Sequence, residues 1–276
     1  MLNKKKGVVS GIVQAFMWIY CSFTVFVLGY MIYNSLRPKQ DILTKTFEIP
    51  KNVTLDNFVR LFKQEHFLRY FSNSVFILVF SLLLIVIISS LTAYGLARYN
   101  FKGKSFFRIY FLIGLMFPVQ LGIVPIFLLM KKLALINTSL SVILVSASGI
   151  SMSVLMLTNF FAELPEAVYE AAILDGAGEF RTFFSIMLPM ATPVIFSVCI
   201  TTSVQIWNQF FLPLIFLQSD DKKTIPMLIL KNTAKLLNTI DLAMASSVLS
   251  TIPILILFVI FSNKILDGVT SGSVKG

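Results

Sequence analysis

Six long stretches of this sequence contain no Asp, Glu, Lys, Arg or His: Gly7–Leu36, Tyr70–Ala97, Ile109–Met130, Leu133–Ala162, Thr182–Ser219 and Leu242–Asn263. Transporters driven by protons or ions depend on ionisable groups at membrane depth, so an energy source for this chain has to enter from outside those stretches. Histidine is almost missing. The single one, His66, lies in a polar loop, which excludes a histidine-clustered metal hydrolase. Cysteine is equally scarce: Cys21 and Cys199 both fall inside apolar runs and read as small core hydrophobes rather than a disulfide or metal pair. No internal repeat or low-complexity block is present, and no phosphate loop either. Gly103-Lys104-Ser105 imitates the end of one, but its leading glycine would fall at Arg98 and no buried strand precedes it.

What is present is apolar surface. Hydrophobic residues make up 57% of the chain, charged residues 13%, and mean hydropathy is +0.85. Each uncharged stretch exceeds the roughly 20 residues that a helix needs to cross a hydrocarbon core. The reading is an all-α membrane protein with six transmembrane helices. Lys4-Lys5-Lys6 could open a signal peptide, but the apolar run to Leu36 is too long and closes on no small-residue cleavage site, so it reads as a retained span. The fifth run, with Pro189, Pro193 and Pro213, reads as a lead-in, one helix and a tail; Pro118 and Pro125 predict kinks in the third. Orientation is not fixed by charge. With the N-terminus inside, ten of the 23 basic residues lie inside, yet four of these crowd the short loop from Arg98 to Arg108. The net charge of +10 suits anionic lipid headgroups, and the basic residues are too scattered between spans for nucleic acid.

The polar connection Glu163 to Pro189, ELPEAVYEAAILDGAGEFRTFFSIMLP, lies between two long apolar runs. Pro165 suits a first helical position, with Glu166 in the first turn favourable to the helix dipole. Ala171 and Ala172 keep one helix face shallow, Gly176 supplies a stop, and Phe180 to Leu188 form an amphipathic lead-in to the next run. A short helix with a small-residue face, held between two spans, suits docking into a groove on another protein.

Glu170-Ala171-Ala172, three residues, Gly176, nine residues, then Ile186-x-Leu188-Pro189 resembles the EAA loop of binding-protein-dependent ABC transporter permeases. The resemblance implies a type I ABC importer permease fold. It assigns the ATPase-coupling loop to Glu170, Ala171, Ala172, Asp175, Gly176, Ile186, Leu188 and Pro189 and puts that loop in the cytoplasm, with both termini. Further residues resemble the family's carbohydrate-uptake branch, typified by maltose importers: Asn73-Ser74 entering the second span, the basic turn after Ala93-Tyr94-Gly95, Trp207-Asn208, and the tail Gly268 to Gly276. The implied domain layout is 1–68 for N-terminus, first helix and external loop, 69–264 for the core permease with its loop 163–189, and 265–276 for a cytoplasmic tail. The amphipathic segment Val53–Phe67, with Leu55, Phe58, Val59 and Phe62 on one stripe, is expected along the outer interface or against a partner.

The candidate substrate pathway is Gln120, Gln205, Trp207 and Asn208. Gln120 is either a substrate contact or an interhelical hydrogen bond. Gln205, Trp207 and Asn208 would suit a sugar, amides to hydroxyls and indole to a pyranose face, or equally an inter-subunit hydrogen-bond cluster. The serines of the fourth run read as close helix packing.

The resemblance implies a permease subunit with no catalysis and no cofactor of its own, ATP and Mg belonging to a partner. The expected partners are a second homologous permease, a cytoplasmic ATPase dimer, an external sugar-binding protein, membrane lipid and the sugar substrate, an oligosaccharide by preference, in a bacterial cytoplasmic membrane. The alternative is an importer of peptide or polyamine. An intramembrane enzyme is more remote. Gly176-Ala177-Gly178-Glu179 lacks the Asp of an intramembrane aspartyl protease, and Gly149-Ile150-Ser151 lacks the partners of a serine protease.

Overall fold

A chain this apolar has to satisfy its backbone polar groups within itself wherever lipid surrounds it, and helices do so locally. The computed structural model describes residues 2–45, 48 and 53–271, and among them there is no strand. The helices are α1 (Leu2–Ser35), α2 (Lys39–Thr44), α3 (Asp56–Lys63), α4 (Phe67–Arg98), α5 (Lys104–Met116), α6 (Ile123–Lys132), α7 (Ser139–Ser148), α8 (Ser151–Glu163), α9 (Glu166–Leu174), α10 (Glu179–Thr182), α11 (Leu188–Met190), α12 (Thr192–Trp207), α13 (Phe211–Phe216), α14 (Ile225–Ala234) and α15 (Leu236–Ser271).

Among the described residues, three continuous segments are long and apolar enough to cross a membrane: Ser10–Ser35, Phe67–Arg98 and Leu237–Ile260. The other three expected spans are bent pairs, and counting each pair as one crossing gives six. The third run, where two kinks were expected, is broken into two helices at one of them. α5 stops at Met116, the chain turns through 94° at Phe117–Pro118, and a 3₁₀ turn, Val119–Gly122, leads into α6. Pro125 makes no second kink, because it stands in the first turn of α6, where a missing N–H breaks no helical bond. The fourth run bends by 46° at Gly149–Ile150, between α7 and α8. The fifth matches the expected lead-in, helix and tail. Glu179–Met190 meets α12 at 71°, and Asn208–Phe210 separates α12 from α13. α15 absorbs Pro253 and continues to Ser271, beyond the expected span end at Lys264; of the expected tail, residues 272–276 lie outside the described residues.

The chain divides into two units, Met1–Leu68 with Leu228–Ile252, and Arg69–Met227 with Pro253–Gly276. In the first, the turn after α1 is built around Arg37, which is 1% exposed. Its guanidinium donates to Asn34 Oδ1 at 3.1 Å and to the carbonyls of Asp41 and Lys45 at 3.1 and 2.6 Å, and it lies 4.8 Å from the Tyr33 ring centroid. Asn57 of α3 donates to the carbonyls of Ser35 and Arg37. α3 therefore buries Asn57 and Leu61, while Leu55, Val59 and Phe62 of the apolar stripe stay exposed. The same helix sends Arg60 to Asp241 at 2.6 Å, and Asp241 is 1% exposed. A buried carboxylate that loses its partner keeps its desolvation cost without compensation. Arg60→Ala should therefore cost about 3 kcal/mol and lower the thermal unfolding midpoint in detergent. Asp241→Ala added to it should restore part of the loss.

Clusters of buried hydrophobic side chains hold the second unit together. Ile77, Val142, Val145, Leu212 and Phe216 form one cluster, and Ala93, Tyr94, Leu157, Phe161, Phe183 and Val198 another. The serine-rich fourth run does pack closely. Ser141 and Ser153 are buried, and a Cβ on Gly114 of α5 would stand 2.4 Å from Ser151 Oγ.

Candidate functional site

α9 begins one residue later than expected. Pro165 is extended (φ −56°, ψ 130°) and caps the helix from outside, and Glu166 opens it. The far end follows from Gly176. At φ +75° it takes the left-handed conformation, its N–H bonds Ile173 O at 2.9 Å, and Ala177 N–H bonds Ala172 O at 3.0 Å. This is a Schellman cap, in which glycine removes the steric penalty of a Cβ and the last carbonyls are satisfied. The cap turns the chain into the extended Gly178, then α10 and a π-helical turn over Phe183–Met187. The wider turn buries Phe183 and Met187 against Tyr94 and Phe161 and leaves Phe180 and Phe184 exposed.

The eight expected loop residues separate by face. Ala172 is buried, and Ile186 and Leu188 pack partly against the second cluster of the unit. Glu170, Ala171, Asp175, Gly176 and Pro189 are exposed. Glu170 makes no ion pair among the described residues. Beside it Leu174 is 87% exposed and Phe180 79%. α9 thus offers a carboxylate, a shallow alanine and the exposed Leu174, and Phe180 of α10 is exposed beyond the turn.

Sequence reasoning missed what holds this segment. Arg98, at the end of α4, pairs with Glu166 Oε1 at 3.3 Å and lies 3.5 Å from the Tyr169 ring centroid. Tyr169 Oη donates to Glu179 Oε1 at 2.5 Å, and Tyr99 Oη donates to Glu179 Oε2 at 2.6 Å. The two phenolic bonds, ahead of the nearby Arg98 charge, hold the Glu179 carboxyl below its ordinary range. Both phenols move up: Tyr99 chiefly by desolvation, then by its bond to Glu179, and Tyr169 chiefly by that bond. No single one of these residues marks itself in sequence, because their partners lie 68 to 80 positions apart or across a turn.

The four pathway candidates do not converge. Gln205 lines a cleft of about 220 Å³ with Ser146, Ser148, Thr202 and Gln209, beside Val119, Val145 and Leu212. Its polar lining carries hydroxyls and amides and no charge. Trp207 is 3% exposed and stands edge-on to Phe71, centroids 5.8 Å apart. The cavity beside it is about 10 Å³, room for one water and far too small for a sugar ring. Asn208 is exposed and donates to its own helix at Val204 O, 3.0 Å away. Gln120 is exposed in the 3₁₀ turn, and its side chain makes no hydrogen bond among the described residues.

Asn137 also escaped the sequence reading. At φ 61° it accepts on Oδ1 from the N–H groups of Gln218 and Ser219, donates from Nδ2 to Ser219 Oγ at 2.7 Å, and its own N–H bonds Phe216 O. It fixes the turn before α7 to the one after α13. Asn73 and Ser74 serve the same loop. Asn73 donates to the carbonyls of Asp221 and Lys223, and Ser74 Oγ accepts the N–H of Ile225.

Gly176→Val forces a β-branched residue into the left-handed region, at about 1–2 kcal/mol. The expected result is faster amide hydrogen exchange over Ala171–Ala177 with protection in α4 unchanged.

Comparison with known proteins is informative over most of the chain. Residues 85–271 match the family model described as binding-protein-dependent transport system inner membrane component. The chain is 34% identical over 256 residues to the arabinooligosaccharides transport system permease protein AraQ of Halalkalibacterium halodurans, covering 91% of each chain. It is 31% identical to the diacetylchitobiose uptake system permease protein NgcG of Streptomyces coelicolor, covering 96% of this chain and 89% of that one. A chain from the crystal structure of a bacterial ABC transporter that imports the acidic polysaccharide alginate superposes with a TM-score of 0.81 at 20% identity, over 92% of this chain and 96% of its own.

Proposed function

The chain belongs to the family of binding-protein-dependent transport system inner membrane components, and on that premise we propose that it is the permease subunit of an ATP-driven importer of oligosaccharide. The observation that carries the coupling half of this reading is α9, a capped helix with exposed Glu170, Ala171 and Leu174 on a segment built for contact outside the lipid. In this reading α9 docks into a groove of a cytoplasmic ATPase. Ala171 and Gly176 permit close approach, and Glu170 makes a charge-assisted contact to a basic residue there. Both termini then lie in the cytoplasm of a bacterial cell. ATP and Mg reside in that ATPase dimer, and a second, similar permease and an external binding protein complete the assembly.

The oligosaccharide half rests on the relatives that carry arabinooligosaccharides and diacetylchitobiose, and on the uncharged polar lining beside Gln205. Hydroxyls and amides without charge suit a neutral sugar better than a polyamine, which would call for carboxylates. Gln205 is the pathway residue that this lining favours. Trp207, buried against Phe71, serves packing.

The test is ATPase activity of the complex reconstituted in proteoliposomes, titrated with its binding protein loaded with arabinotriose, diacetylchitobiose or maltotriose. Stimulation severalfold by one loaded form, lost in Glu170→Arg, is the expected outcome. Stimulation only by a peptide- or polyamine-loaded protein would keep the coupling helix and discard the sugar. A chain that never copurifies with an ATPase would overturn the reading.

A further inference from the structure

The proposed function leaves open how a push on α9 reaches the membrane-spanning helices. Two routes follow the covalent chain: back through Leu164–Pro165 into α8, and forward through the glycine-containing turn Gly176–Gly178 into α10. A third is not covalent. α9 is fixed to the end of α4 by Arg98, which pairs with Glu166 and covers the face of Tyr169 at 3.5 Å. Glu179, at the start of α10, then takes one phenolic hydrogen bond from α9, through Tyr169, and one from the residue after α4, through Tyr99. Both carboxylate oxygens are occupied, so the group ties the adjacent α9 and α10 to the end of α4, 80 positions away.

We propose that Glu179, gripped by Tyr99 and Tyr169 and braced by Arg98, is the positioning residue through which displacement of α9 is transmitted to α4. This rests on the reading of α9 as the ATPase-docking helix. The arrangement fits a joint better than incidental surface pairing. Short bonds to an ionised acceptor are about twice as strong as neutral ones, and two of them on one carboxylate fix direction as well as distance. At Gly176 and Gly178 an added Cβ would meet nothing within 4 Å, so the covalent route through this turn is not braced by packing at either glycine. Through Tyr94, one turn before Arg98, the joint reaches the buried cluster of Phe161, Phe183 and Met187, so α4 cannot shift at this end without moving the lead-in to α12.

The experiment uses the assembled complex with its ATPase and binding protein in proteoliposomes, with a mixture of arabinotriose, diacetylchitobiose and maltotriose as probe. It measures sugar imported per ATP hydrolysed for wild type, Tyr99→Phe, Glu179→Ala and the double variant. The expected result is a several-fold fall in that ratio for Tyr99→Phe and about tenfold for Glu179→Ala, with no further loss in the double variant, because both remove one joint. Glu179→Gln, which keeps an acceptor oxygen for one phenol, should recover part of the ratio. A purely structural role would lower the amount of assembled complex and leave the ratio alone. Ratios equal to wild type in assembled variants, or losses that multiply in the double variant, overturn the joint while leaving the importer reading intact. If Glu179→Ala does not assemble, Tyr99→Phe, which removes a single hydroxyl, decides by the same ratio. A wild-type chain that assembles with no ATPase overturns the underlying reading and the joint together.

Discussion

The constraint on which this structure depends is that no charge is placed where lipid has to be. With every Asp, Glu, Lys, Arg and His excluded from six long runs, the charged chemistry collects in the connections, where several of these side chains act as fastening points. Arg37 gathers carbonyls around the turn after α1, Arg60 reaches the buried Asp241, and Arg98 clamps α9. A guanidinium suits all three places because its planar fork offers several donors in fixed directions. The spans themselves are held by shape: serines and Gly114 let helices approach, and aromatic clusters fill the gaps.

The same exclusion leads from architecture to function. Six runs without Asp, Glu, Lys, Arg or His offer no charged ligand for a coupling ion, and in the proposed reading work arrives instead through a connection, α9. Its Schellman cap ends the helix where the chain has to turn back to the membrane. The π turn at Phe183–Met187 then lets the lead-in bury one aromatic face while reaching α12 at 71°. Phe183 and Met187, four residues apart, share one helix face and so meet the same cluster.

Much of this was legible in order along the chain. Six apolar runs, a proline-marked break in the third, the division of the fifth and the Gly176 stop are all local properties, set by backbone sterics and hydrogen bonding within a few residues. The degree of bending was not legible. Proline at 118 predicts a kink, but a 94° turn requires the next segment to find other neighbours, and Pro125 escapes making a second kink through its position in the first turn of α6. The pathway candidates show the same limit. Gln205 and Trp207 are two residues apart in sequence and differ in surroundings, because α12 turns one toward the cleft and the other against Phe71.

The sequence by itself determined that the chain is helical and membrane-spanning and that its Asp, Glu, Lys, Arg and His residues stay out of six long apolar runs, since composition and period decide those points without reference to distant residues. Tertiary structure alone decided which side chains meet. Asn137 with Gln218 and Ser219, Arg60 with Asp241, and Tyr99 with Glu179 are pairs separated by tens of residues or more, brought within hydrogen-bond reach only when the helices pack. A hydrogen bond acts over about 3 Å, and no local pattern encodes a partner that folding has yet to bring near.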